Sequence, residues 1–417
     1  MNTTDELFLQ ALDAALCGGQ VRWEQSIAEE DWRTLIEMAR IHHVLPMVFG
    51  AVYACPAIGN ASAQLMKACK RDAMQQVMIQ AAKTADALKL LTHLKQVGVT
   101  PLVVKGMVCR NLYPAPDYRV SADEDVLIPA AQFSVCHQAM LSFGMIPADP
   151  ALDPETSYEI PYRKPGTGLY IELHKTLFPA DSDAYGDFNR FFEEVHSTSV
   201  TVEIQGIPVA TLNPTDHLFY LICHAYKHFL HSGFGLRQVC DIIMFANTWG
   251  NDIRWREVLD RCDQIRATLF AAAIFKIGRK YLVFSPEQAC YPPHWRHIIV
   301  DEKPMLEDLL QAGIYGSADQ DRVHSSSITI NAVAAQKKGK STSGSVLKTI
   351  FPSAKSMEAR YPYLKNHPVL LPVAWADRIV KYHRETRSGK KNAGITLQIG
   401  SDRLALLRQY GILDERR

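Results

Sequence analysis

The residues best suited to chemistry are two aspartates one position apart. The stretch Arg119-Val-Ser-Ala-Asp-Glu-Asp-Val-Leu-Ile-Pro129 runs three acids into an apolar segment of strand character. Side chains at i and i+2 of a strand share a face, with Cα atoms about 6.5–7 Å apart. Asp123 and Asp125 therefore point one way and Glu124 the other. Two carboxylates on one face repel each other unless a cation sits between them. Mg²⁺ suits that place, because it takes hard oxygen ligands and is held by one or two carboxylates together with substrate phosphates. A pair of such ions, about 3.5–4 Å apart, clamps the attacking and leaving oxygens of a phosphoryl displacement. A third acid, Glu172, lies in "GLYIELHK" among Leu169, Ile171, Leu173 and Leu177. A bare carboxylate is costly to bury in such a strand. If that strand pairs beside "DEDVLIP", then Asp123, Asp125 and Glu172 form one metal-binding, catalytic cluster.

The surrounding elements decide whether the acids can meet. "VTPLVV" (Val99 to Val104) is a short β-rich run closed by Lys105-Gly106. "MVCRNLYP" can make two helical turns and stops at Pro114, and "AAQFSVCHQAMLSFG" is helical to Gly144. "SYEIPYRK" and "GLYIELHK" flank Pro165-Gly166-Thr167-Gly168, and Val200 to Leu212 turns about Gln205-Gly206, so both read as hairpins. Residues 96–212 are thus expected to form a small mixed α/β unit. Residues 1–95 read as helical, with Trp32, Leu35, Ile36 and Ala39 on one face and a long helix in "AAKTADALKLLTHLKQVG". Helical spacing returns at 213–290, expected to pack on the core as a bundle. Residues 291–417 form a C-terminal extension, with a mobile basic linker expected near 335–345, "AQKKGKSTSGS". The fold class predicted is α+β: a small mixed-sheet core flanked by N-terminal and C-terminal helical regions.

Composition narrows the partners. Of 417 residues, 47% are hydrophobic and 21% charged, as in soluble globular proteins. The formal net charge of +1 gives no bulk drive onto nucleic acid or an anionic membrane. Nine irregularly spaced cysteines without a CxxC pair point to reduced thiols in a cytoplasmic protein. No apolar run approaches the roughly 18–20 residues that cross a bilayer, so membrane insertion is not expected.

The segments "LVVKGMVCRNLYP", "YRVSADEDVLIP" and "YIELHKTLF" together resemble a bacterial nucleotidyltransferase-like family with a Lys-Gly turn, within the DNA polymerase beta-type nucleotidyltransferase superfamily. The matching positions are Lys105, Gly106, Tyr113, Pro114, Arg119, Asp123, Asp125, Glu172, Leu173 and His174. Helical "NPTDHLFYLICHAYKHFLH" and "LRQVCDIIMF" extend the likeness. Two departures stand out: Lys105-Gly106 where the wider superfamily has Gly-Ser, and Glu124 where the family's residue is usually apolar. The resemblance implies a nucleotidyltransferase core that moves an NMP from an NTP such as ATP to a hydroxyl acceptor, with two Mg²⁺ ions and pyrophosphate leaving. Its alternative is an inactive nucleotide-binding or scaffold protein in a biosynthetic or toxin–antitoxin-like system.

Other residues fit around that reaction. Lys105 can place a cation on the β or γ phosphate oxygens or simply cap a strand end, and Gly106 lets backbone approach phosphate closely. Arg119 can contact phosphate or brace the aspartates. On the helix from Thr215, His217, His224, His228 and His231 share a face. His224 and His228 can donate to phosphate or acceptor, bind zinc, or pack as structural histidines. Arg237 and Asp241 are i, i+4 neighbours, for which an ion pair is the default.

Overall fold

The computed structural model describes residues 2–231, 233–312, 320–339, 354–357, 361–377, 380 and 393–414. Four helices come first: α1 (Thr3–Leu16), α2 (Glu29–Ile41), α3 (Leu45–Val52) and the 34-residue α4 (Ala63–Gln96). Strand β1 (Leu102–Val103), short helix α5 (Gly106–Arg110) and β2 (Glu124–Leu127) follow. Then come α6 (Phe133–Ser142), β3 (Ile146–Pro147), β4 (Glu159–Arg163), β5 (Tyr170–His174), β6 (Val200–Ile204) and β7 (Ile207–Thr211). The chain continues through α7 (Pro214–Leu230), α8 (Leu236–Trp249), α9 (Trp255–Gln264), α10 (Thr268–Tyr281), α11 (Pro293–Arg296), α12 (Lys303–Ala312) and α13 (Gln320–Lys337), with a further helix at Ala393–Gln409.

The architecture is α+β, as the sequence predicts. One five-stranded sheet has the order β1-β2-β5-β4-β3, and β6-β7 form a separate hairpin. The two acid-bearing strands are neighbours: β2 and β5 run parallel, with Asp125 opposite Glu172 and Leu127 opposite His174. Strand β4 pairs antiparallel with β5 across the predicted turn. At the β6–β7 turn Gln205 and Gly206 have φ of 51° and 77°, the paired positive values of a tight two-residue hairpin.

Alternation along the strands divides the sheet into two chemistries. Glu124, Val126, Ile171 and Leu173 face α4 and α6, where Ala87, Leu90, Leu94 and Met140 complete an apolar core. Asp125, Glu172 and His174 share the opposite face, toward Lys105 and His224 of α7, and Asp123 stands just ahead of the strand. A second, larger core joins the apolar residues of α1–α3 with those of α7–α10, α12 and α13. Within the stretch read as a linker, Ala335 to Lys337 close α13, Lys337 and Lys338 pair with Asp187 and Asp183, and residues 340–345 lie outside the described residues. All nine cysteines are free thiols. Among the described residues, no helix is long and apolar enough to cross a membrane.

Candidate active site

The site is built on the mouth of β2, and a web of side chains holds that mouth. Lys83 of α4 donates to the carbonyls of Ser121 (2.6 Å) and Ala122 (2.8 Å), while Gln80 accepts from the Ser121 N–H (2.8 Å). Arg110 donates to Ser121 Oγ at 2.7 Å, and Arg237 to the Val120 carbonyl at 2.6 Å. Residues 119 to 122 are therefore tied between α4, α5 and α8, which fixes the strand start at which the aspartates stand.

Glu124 points away from Asp125, as alternation requires, but it does not face solvent. It is 0% exposed, pairs with Arg110, and accepts from the Met107 N–H at 2.7 Å. Its carboxylate thus caps the start of α5 and locks the Lys-Gly turn against β2. Gly106 has φ +40°, and a Cβ there would lie 1.8 Å from Glu124 Oε2. Glycine at 106 is demanded by this contact.

Asp125 is buried, and its Oδ2 lies 2.7 Å from Lys105 Nζ. Lys105 Nζ is also 3.2 Å from His224 Nε2, and His228 Nε2 lies 3.3 Å from that same nitrogen. An ammonium has only donors, so the His224 nitrogen is the acceptor. Burial, then Lys105 and His228, hold His224 well below the usual histidine range, leaving it neutral. Burial alone would lower Lys105, but Asp125 and Asp123 outweigh it and raise the ammonium. Burial likewise opposes the charge on Asp125, and Lys105, His174 and His224 outweigh it, holding the carboxyl well below the carboxylate range. Glu172 shows the reverse. Burial, then Asp125, Asp123 and Glu159, push its carboxyl up to about 9.

Among the described residues, one group of side chains has its ligand atoms all within 4.8 Å: Asp125, Glu172 and His174. Asp123 is half-buried just ahead of β2 and stands outside that group. His174 enters because it follows Glu172 by two residues, the same alternation that joins Asp123 to Asp125. The donor set fits a divalent cation: a carboxylate raised by its acidic neighbours and a buried imidazole lacking hydrogen bonds are both relieved by a positive charge between them.

Other expectations resolve differently. Arg119 is buried against Asp241, donating from Nε at 2.9 Å and from a second nitrogen, and Tyr113 donates to the same carboxylate at 2.7 Å. Asp241 therefore takes Arg119 as its ion-pair partner in place of the expected Arg237. Of the four histidines, His224 reaches Lys105, and His228 contacts His224 behind it. His217 is buried beside Thr211 and Phe245, and His231 sits at Tyr185.

A small mixed sheet with helices on its faces and acids on two adjacent parallel strands defines an α+β fold of nucleotidyltransferase type. The chain belongs to a family described as uncharacterised nucleotidyltransferases, whose model matches residues 28–282. No curated protein and no solved structure matches it.

Proposed function

We propose that the protein transfers an NMP from an NTP to a hydroxyl-bearing acceptor and releases pyrophosphate. The observation that carries this is the Asp125–Glu172 register on parallel β2 and β5, with Lys105 2.7 Å from Asp125. The acceptor oxygen attacks the α-phosphorus as the bond to the bridging oxygen of the β-phosphate breaks, and the hydroxyl proton passes to water. Asp123, Asp125 and Glu172 would hold the divalent ions, which neutralise the triphosphate and acidify the acceptor hydroxyl when bound. Lys105 is the protein's own cation for the leaving pyrophosphate. Neutral His224 accepts from it and steers the ammonium without adding a repelling charge, and His228 supports His224 from the next turn. Arg119 serves by holding the β2 mouth to α8, and Gly106 by admitting the Glu124 cap.

The test is incubation of the full chain with each α-labelled NTP and Mg²⁺ in a lysate of the source cell. Transfer of label to an acceptor, lost in Asp125→Asn, is the expected result. Absence of both labelling and any NTP-dependent thermal stabilisation would overturn the reading. A second reading, nucleotide binding without turnover, is favoured by the Lys105–Asp125 ion pair, in which the site supplies its own counter-charge. Thermal stabilisation by NTP with no labelled acceptor would select it.

A further inference from the structure

We infer that the cation seated between β2 and β5 is a first-row transition ion of the Mn²⁺ class, in preference to Mg²⁺, with His174 Nε2 as one of its ligands. The inference rests on the metal reading of the proposed site but not on the nucleotide.

The geometry converges on the imidazole. His174 Nε2 lies 3.4 Å from Asp125 Oδ1 and 3.9 Å from Glu172 Oε2. The ring is 3% exposed, and neither of its nitrogens makes a hydrogen bond. Nε2 faces two carboxylates without a well-formed hydrogen bond to either, and a cation among the three would give each of them a partner. The rest of the ring's surroundings point the same way. Glu159, opposite His174 across the β4–β5 pair, presents Oε2 3.6 Å from Nδ1. A carboxylate behind one ring nitrogen orients the imidazole and directs the other nitrogen at a metal.

Ligand chemistry then sets the ion. Mg²⁺ demands oxygen ligands and keeps much of its water. Imidazole favours the later first-row ions, while the two carboxylates keep the site hard enough for Mn²⁺. The site is therefore unsymmetrical: Asp123 offers oxygen alone, whereas the Asp125, Glu172 and His174 group offers oxygen and nitrogen. An Mg²⁺ carried in by triphosphate and a resident transition ion are different ions in this arrangement.

The test uses the full chain, stripped of metal by chelator and titrated with Mn²⁺ alone. Pulsed electron paramagnetic resonance should show ¹⁴N coupling to the bound Mn²⁺, and a hundredfold excess of Mg²⁺ should fail to displace it. His174→Asp should abolish the ¹⁴N coupling and shift the Mn²⁺/Mg²⁺ preference at least tenfold toward Mg²⁺. His224→Phe should leave the coupling in place, which separates the two nearby imidazoles even if His174→Asp fails to fold. Glu159→Gln should weaken Mn²⁺ binding about tenfold. Bound Mn²⁺ without ¹⁴N coupling, ready displacement by equimolar Mg²⁺, or no Mn²⁺ binding at millimolar concentration would each overturn the inference. The NTP-dependent thermal shift in Mg²⁺ can survive any of these results, so the two readings fail separately.

Discussion

Position 124 carries no chemistry of its own, yet it holds the turn that does. Its carboxylate is fully buried between Arg110 and the Met107 N–H. Breaking a buried ion pair from one side costs about 3–5 kcal/mol, because the remaining charge loses its partner. Glu124→Ala should lower stability by about that amount, read from the urea midpoint. Gly106→Ala should destabilise too and should weaken NTP binding, since its Cβ collides with the same carboxylate. Glu172 makes a pH prediction. Its folded carboxyl sits at about 9, above its ordinary 4.5, so the folded state binds more protons between those values. Its contribution is present below about pH 4.5 and is lost as pH rises toward 9. In chelator, wild-type stability should fall over that window more steeply than that of Glu172→Gln. Strand alternation made the side of β2 that carries Asp125, and its place beside Glu172, legible in the sequence. The same rule reaches His174 from Glu172, and that signal went unused as a ligand assignment. The fate of Glu124 was illegible because its partner Arg110 is on a helix whose packing no local pattern reveals.

At the scale of elements, α4 does more than cover the sheet. The sequence showed its last half as a helix, and the structure extends it back to Ala63, bringing Gln80 and Lys83 against residues 121 and 122. Charge-assisted hydrogen bonds contribute about 1.5–3 kcal/mol each, and Lys83 makes two. Lys83→Met should cost about 2–4 kcal/mol, less than the sum because water can reach part of the loop. Amide exchange at 120–123 should rise ahead of exchange in β5. The hairpins were legible from their turns, Gln205-Gly206 above all. The parallel β2–β5 pairing was only a condition in the sequence, because nothing local states which strands adjoin.

Across the whole molecule, two cores sit on opposite sides of one sheet, and buried histidines report on the larger. Burial pushes His42 and His217 each down to about 4, so both are neutral in the folded protein. Their folded values are below the ordinary 6.5, so the stability they permit is present above pH 6.5 and lost as pH falls through 4. The urea midpoint should drop over that window, and His42→Phe should flatten the drop. The Arg119–Asp241 pair spans the molecule differently, joining positions 122 residues apart. That separation has a consequence for synthesis. At about 5–20 residues per second, Arg119 leaves the ribosome roughly 6–24 seconds before Asp241 emerges to receive it. Its guanidinium must stay in water for that interval, so the mouth of β2 cannot close while the sheet is merely complete in sequence. Nascent chains arrested short of α8 should carry every acid of the site and still leave residues 119–123 open to protease.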